Sequence, residues 1–180
     1  KICGITNTAD ALAACEHGAD AIGFVFAPSP RQISPEAARE IIRAIPPFIT
    51  MVGVFVDEPA DRVREIVRFC RLDAVQLHGN ESPDYIAGLG MPAIKGFRVK
   101  NKATIDCIYQ FKLKWFLLDT YMPGTAGGSG RPFDWTIAAD AANQMLIVTA
   151  SAEDHERVRQ IVDEADRRGE GELVTKVYSL

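Results

Sequence analysis

The 180-residue chain is predicted to be an α/β protein, a parallel (β/α)8 barrel of the TIM type. Three observations carry this. Short apolar runs alternate with helical patterns at a repeat of about 20 to 28 residues. Eight such runs of similar length occur between Ile2 and Tyr178. Most are unbroken rather than alternating in polarity, as strands covered on both faces should be. A doubly wound open sheet is the competing architecture, and eight short strands favour closure into a cylinder. The crossovers are right-handed in either case.

The expected strands are Ile2–Ile5, Ala21–Phe26, Met51–Val56, Ala74–Leu77, Ala93–Arg98, Trp115–Asp119, Leu146–Thr149 and Leu173–Tyr178. The first helix, Thr8–His17, places Ala11, Leu12, Ala14 and Cys15 on one side. The second, Pro35–Ala44, follows the N-cap candidate Ser34 and has proline at its first position, where the missing N–H costs nothing. The third, Ala60–Cys70, carries Val63, Ile66, Val67 and Cys70 at i, i+3, i+4 and i+7, a stripe to be buried. Ser82 caps a fourth helix starting near Pro83, Thr104–Phe111 is a short fifth, and Trp135–Ala142 is another.

From Ser151 the texture changes to a regular polar helix with a narrow stripe of Val158, Ile161, Val162 and Ala165. Ser151 stands as N-cap with Asp154 three residues on, Arg167 and Arg168 sit in the last turn, and Gly169 stops it, in keeping with the helix dipole and C-terminal rules.

Composition bounds the function. Hydrophobic residues make up 47% and charged ones 24%, ordinary values for one soluble domain over 1–180. The net charge of -4 comes without a basic block, which argues against nucleic acid as a partner. The apolar runs are strand-sized and too short for a membrane span. No signal peptide is expected ahead of Lys1, and the start without Met is expected to reflect residues trimmed or lying outside this sequence. Cys3, Cys15, Cys70 and Cys107 form no CxxC pair and no metal spacing, which points to a reduced, cytoplasmic setting without a metal. Cys15, Cys70 and Cys107 are expected to be buried small hydrophobes on helices.

Two residues stand out chemically. Cys3 closes the first strand immediately before Gly4, and Asp119 closes the sixth. The C-terminal ends of parallel strands face the ligand crevice in α/β folds, so a thiol and a carboxyl are aimed at one pocket, a pairing suited to general acid–base chemistry. Arg31 lies on the loop after the second strand, where a guanidinium can hold a carboxylate in bidentate fashion. His78 and, more weakly, Arg98 follow strands as pocket candidates. Gly128, Ser129 and Gly130 sit in a Gly127–Gly130 loop able to bring backbone amides near a ligand.

KICGIT at the start, GFVF followed by SPR-x-IS (Gly23–Phe26, Ser29–Ser34), VGVF (Val52–Phe55), VQLHG (Val75–Gly79), LLD (Leu117–Asp119) and GGSGRPFDW (Gly127–Trp135) occur in that order. Over roughly residues 1–142 the chain resembles the phosphoribosylanthranilate isomerase family of tryptophan biosynthesis. The resemblance implies a (β/α)8 barrel and a cofactor-free Amadori rearrangement of a phosphorylated aminoaldose. It assigns Asp119 as the general acid, Cys3 as the general base and Arg31 to the anthranilate carboxylate. A small phosphorylated substrate is thus the expected partner, and the chain itself a monomer or homodimer.

Residues 143–180 depart from that family's pattern. The glycine-rich phosphate loops that the family carries after the seventh and eighth strands are expected to be missing, as is a final helix. The expectation is a divergent, substituted βαβ piece that completes the barrel and leaves activity impaired. The alternative is an inactive chimeric or redesigned scaffold derived from that enzyme. A terminal strand pairing antiparallel at an edge is the other placement.

Overall fold

A computed structural model describes residues 1–100, 102–111, 113, 115–120, 145–150 and 176–179. The order is β1 (Ile2–Cys3), α1 (Thr8–Glu16), β2 (Ala21–Val25), α2 (Pro35–Ala44), β3 (Thr50–Phe55), α3 (Ala60–Cys70), β4 (Ala74–Leu77), α4 (Pro83–Leu89), β5 (Ala93–Val99), α5 (Lys102–Ile108), β6 (Trp115–Thr120), β7 (Met145–Ala150) and β8 (Lys176–Ser179). The chain divides into two compact units, Lys1–Ile94 and Lys95–Leu180.

In the first unit β1, β2, β3 and β4 pair side by side, all parallel. Ile22, Phe24, Val52, Phe55, Val75 and Leu77 are almost wholly buried. The helices cover the sheet with Ala11, Ala38, Ile41, Val63, Ile66 and Cys70. Each large apolar side chain removed from water contributes about 1.5–3 kcal/mol. The caps are local and specific. Asn7, Ser34 and Ser82 each accept a hydrogen bond from the backbone N–H three residues on, satisfying donors that the helix itself leaves open. The left-handed residues Arg71 and Gly90 close α3 and α4.

In the second unit β5 pairs with β6, β6 with β7 and β7 with β8, again all parallel. The terminal strand is therefore not an antiparallel edge. Phe97 meets Phe111 and Phe116 edge-on, with ring centroids 5.0 and 6.4 Å apart, a favourable arrangement for aromatic pairs.

The expected and observed elements differ at their margins. β1 stops at Cys3 rather than Ile5 because Gly4 adopts φ +83 and turns the backbone out of the ladder. The fifth helix starts earlier and tightens into a 3-10 turn over Tyr109–Phe111. Cys15, Cys70 and Cys107 all lie on helices, yet only Cys70 is buried and the other two are half-buried. The expected helices at Trp135–Ala142 and from Ser151, the Gly127–Gly130 loop and the phosphate-loop segment after β7 lie outside the described residues.

Candidate active site

The end of β1 is the best-defined part of the site. Cys3 pairs in register with Gly23 of β2. The Gly23 carbonyl accepts from both Gly4 N (2.9 Å) and Ile5 N (3.1 Å), so β2 holds the turn that follows the thiol. The Cys3 sulfur leans over Gly23: a β-carbon there would lie 2.7 Å from Sγ.

Arg31 reaches back to the same turn. Its backbone N–H donates to Ser29 Oγ at 3.1 Å and its Nη1 donates to the Cys3 carbonyl at 3.2 Å. The side chain crosses Gly4 so closely that a β-carbon on Gly4 would sit 2.7 Å from Arg31 Cδ. Cys3 and Arg31, proposed separately from the sequence, are thus brought together.

His78 follows β4 and is buried. Its backbone N–H donates to the Phe55 carbonyl at 2.9 Å, continuing the β3–β4 ladder. Its Nδ1 lies 3.2 Å from Gln76 Nε2, and Gln76 Oε1 accepts from Lys1 Nζ at 2.8 Å. An ammonium only donates, which turns the amide oxygen to Lys1 and the amide N–H to the ring. Nδ1 is then placed to accept from the amide N–H. Lys1 and Cys3 alternate onto one face of β1, and Gln76 and His78 onto one face of β4. The Lys1–Gln76 bond therefore places the thiol and the imidazole on the same side of this four-stranded sheet.

The loops after β3 and β4 are joined by carboxylates. Buried Glu81 accepts from Asp57 N (2.9 Å) and from Gly79 N (3.0 and 3.2 Å). Asp57 in turn accepts from Asn80 N (2.5 Å) and Asn80 Nδ2 (3.2 Å). Gly79 is required here, because a β-carbon would collide with Asp57 Oδ1 and lie 2.7 Å from the Asp57 backbone nitrogen.

In the second unit, Asp119 stands near the end of β6, half-buried, and pairs in register with half-buried Arg98 of β5. Register partners in parallel strands share a sheet face, so the carboxyl and the guanidinium emerge on one side of that sheet. Gly128, Ser129 and Gly130 lie outside the described residues. Among the described residues no group of three or more His, Cys, Asp or Glu is placed to hold a metal ion, and no helix is long and apolar enough to cross a membrane.

Reading the sequence alone passed over Lys1, Gly23, Gln76, Asp57 and Glu81. For Gly23 a signal existed, since glycine inside an apolar strand marks a close approach. The others depend on which strands and loops become neighbours.

A sequence profile described as "PRAI: N-(5'phosphoribosyl)anthranilate (PRA) isomerase" matches residues 1–167, past residue 142, the expected limit of the resemblance. The N-(5'-phosphoribosyl)anthranilate isomerase of Pelobacter propionicus is 48% identical over 151 residues, which is 83% of this chain and 72% of that protein. The crystal structure of phosphoribosyl anthranilate isomerase from Thermus thermophilus superposes with a TM-score of 0.80 at 34% identity, covering 99% of this chain and 85% of the other. A similar structure holds such an isomerase in complex with reduced 1-(o-carboxyphenylamino)-1-deoxyribulose 5-phosphate, at TM-score 0.77 and 33% identity, covering 99% of this chain and 84% of the other.

Proposed function

The chain belongs to the N-(5'-phosphoribosyl)anthranilate isomerase family, with its TIM-type (β/α) barrel class of fold, and from that membership we propose that it carries out this isomerisation in tryptophan biosynthesis. The observation that carries the reading is the profile match over residues 1–167, joined to the Arg31 guanidinium bonding the backbone carbonyl of Cys3 at one strand end. Nothing in the comparisons supports the inactive-scaffold alternative.

The substrate is an aminoaldose with two anionic ends, a carboxylate on the aromatic ring and a phosphate on the sugar. The Asp119 carboxyl protonates the furanose ring oxygen, the ring C–O bond breaks, and the nitrogen lone pair forms the Schiff base. The Cys3 thiolate takes the proton from C2, whose electrons flow to the imine nitrogen and leave an enolamine. Tautomerisation to the ketone completes the aminoketose, the skeleton carried by the reduced compound bound to the related isomerase. No external electron sink is needed.

Arg31 supplies the counter-charge for the aromatic carboxylate. Tethering of its Nη1 to the Cys3 carbonyl supports this, because it anchors the guanidinium to the backbone at the end of β1, at the residue that carries the thiol. His78 lines the pocket mouth, and Gly128, Ser129 and Gly130 offer backbone amides. The enzyme works in the cytoplasm as a monomer or homodimer.

The test is growth of a tryptophan auxotroph lacking this isomerase. The unsubstituted chain restores growth, and Cys3→Ser or Asp119→Asn lowers kcat by about 10²–10⁴ each, the usual share of a positioned acid or base. Undiminished growth and turnover in both variants would refute the assigned roles.

A further inference from the structure

We infer that Gly23 is a positioning residue for the Cys3 thiol: the β-carbon it lacks is the space in which the sulfur rests. The inference deepens the isomerase reading and rests on its assignment of Cys3. A β-carbon at residue 23 would stand 2.7 Å from Cys3 Sγ, 3.3 Å from Cys3 Cβ and 3.2 Å from Cys3 Cα. These two residues are register partners, so the collision is built into the pairing of β1 with β2.

A buried strand gains nothing from glycine as such, since glycine gives up more conformational freedom than alanine and packs no side chain. The neighbouring residues of β2, Ile22 and Phe24, are wholly buried apolar side chains that follow the ordinary rule. Gly23 departs from it where the thiol lies. Its backbone does a second job. The carbonyl accepts both Gly4 N–H and Ile5 N–H, which fixes the direction in which the chain leaves Cys3. Sulfur and backbone are thus located by one residue, one through an absent atom and the other through its oxygen.

With alanine at residue 23 the sulfur must leave its place. Side chains occupy staggered wells, so the thiol moves by a rotamer step of about 3 Å. A catalytic group misplaced by as little as 1 Å costs roughly 100-fold. The effect belongs in kcat, because Cys3 acts on the reacting carbon while binding rests on other groups.

Gly23→Ala is compared with the unsubstituted chain in three measurements. Steady-state kinetics should show kcat reduced about 100-fold with KM little changed. Peptide-mapped alkylation by iodoacetamide should show an altered rate at Cys3 and an unaltered rate at Cys15. The unfolding midpoint should fall less when Gly23→Ala is made in a Cys3→Ala background, since the 2.7 Å collision is then gone. That last comparison holds even if Gly23→Ala alone folds poorly. Unchanged kcat and Cys3 alkylation, or equal destabilisation in both backgrounds, would overturn the inference. The alkylation and stability arms do not depend on turnover, so an unsubstituted chain without isomerase activity would defeat the functional reading alone.

Discussion

Gly4 is where the geometry of single residues is most demanding. Its φ of +83 suits glycine, and the Arg31 side chain fills the volume that any β-carbon would need. Gly4→Ala should therefore cost about 1–3 kcal/mol in a urea unfolding experiment, the usual range for such backbone strain. It should also raise KM, because the guanidinium proposed to hold the carboxylate is pushed off its rest. A variant with parental stability and KM would show that neither constraint operates. Cys3, Gly4 and Arg31 were all visible in the sequence, as a thiol before a glycine and an arginine on the loop after the second strand. Their meeting was not, because the Nη1 to Cys3 carbonyl bond joins residues 28 apart in the chain.

Among the described elements, the helices α2, α3 and α4 were the most readable. The Ser34–Pro35 start of α2 and the Ser82–Pro83 start of α4 each combine a side-chain cap with a proline that has no N–H to satisfy. Ser34→Ala should lower stability by about 1 kcal/mol, a typical loss for an N-cap, measurable as a shift in urea midpoint. An unchanged midpoint would mean that the Ala37 N–H finds another acceptor. The strands were placed nearly as well, since continuous apolar runs mark them directly. Their margins depend on backbone angles that composition does not express, as Gly4 shows at the end of β1. The 3-10 turn after α5 is a similar case. Asp119 was read from the end of an apolar run, and its neighbour Arg98 was ranked low because register between β5 and β6 is a property of the sheet.

On the scale of the whole molecule, titration offers a test of packing. Burial pushes the Cys70 thiol above its ordinary value of 9.0, with Glu36 adding to the effect. Burial likewise raises the Tyr85 hydroxyl above 10.0, with Glu81 and Glu58 adding to it, and that hydroxyl donates to the Glu58 carbonyl at 2.6 Å. In both cases the folded chain holds the proton more tightly than the unfolded one. The stability this confers is complete below the unfolded values and is lost as pH rises through them towards the folded values. Urea midpoints should thus decline between about pH 8 and pH 11, and Cys70→Ala should flatten the decline. A slope unaffected by that substitution would show that the thiol contributes nothing. At this scale the sequence conveyed the class of fold through its repeat and the family through its ordered motifs. The sharing of interactions between non-adjacent strands, such as Lys1 with Gln76, stayed hidden because it follows from how the sheet curves.

The carboxylates of Asp57 and Glu81 latch the loops after β3 and β4 to each other through main-chain amides. Such a latch makes the two loops a single heritable cassette. A recombination breakpoint falling between residues 57 and 81 would mate one half of the fastening with a stranger's. Exchanges between relatives should be tolerated when both halves travel together, and barrel engineers who graft either loop would do well to move its companion with it.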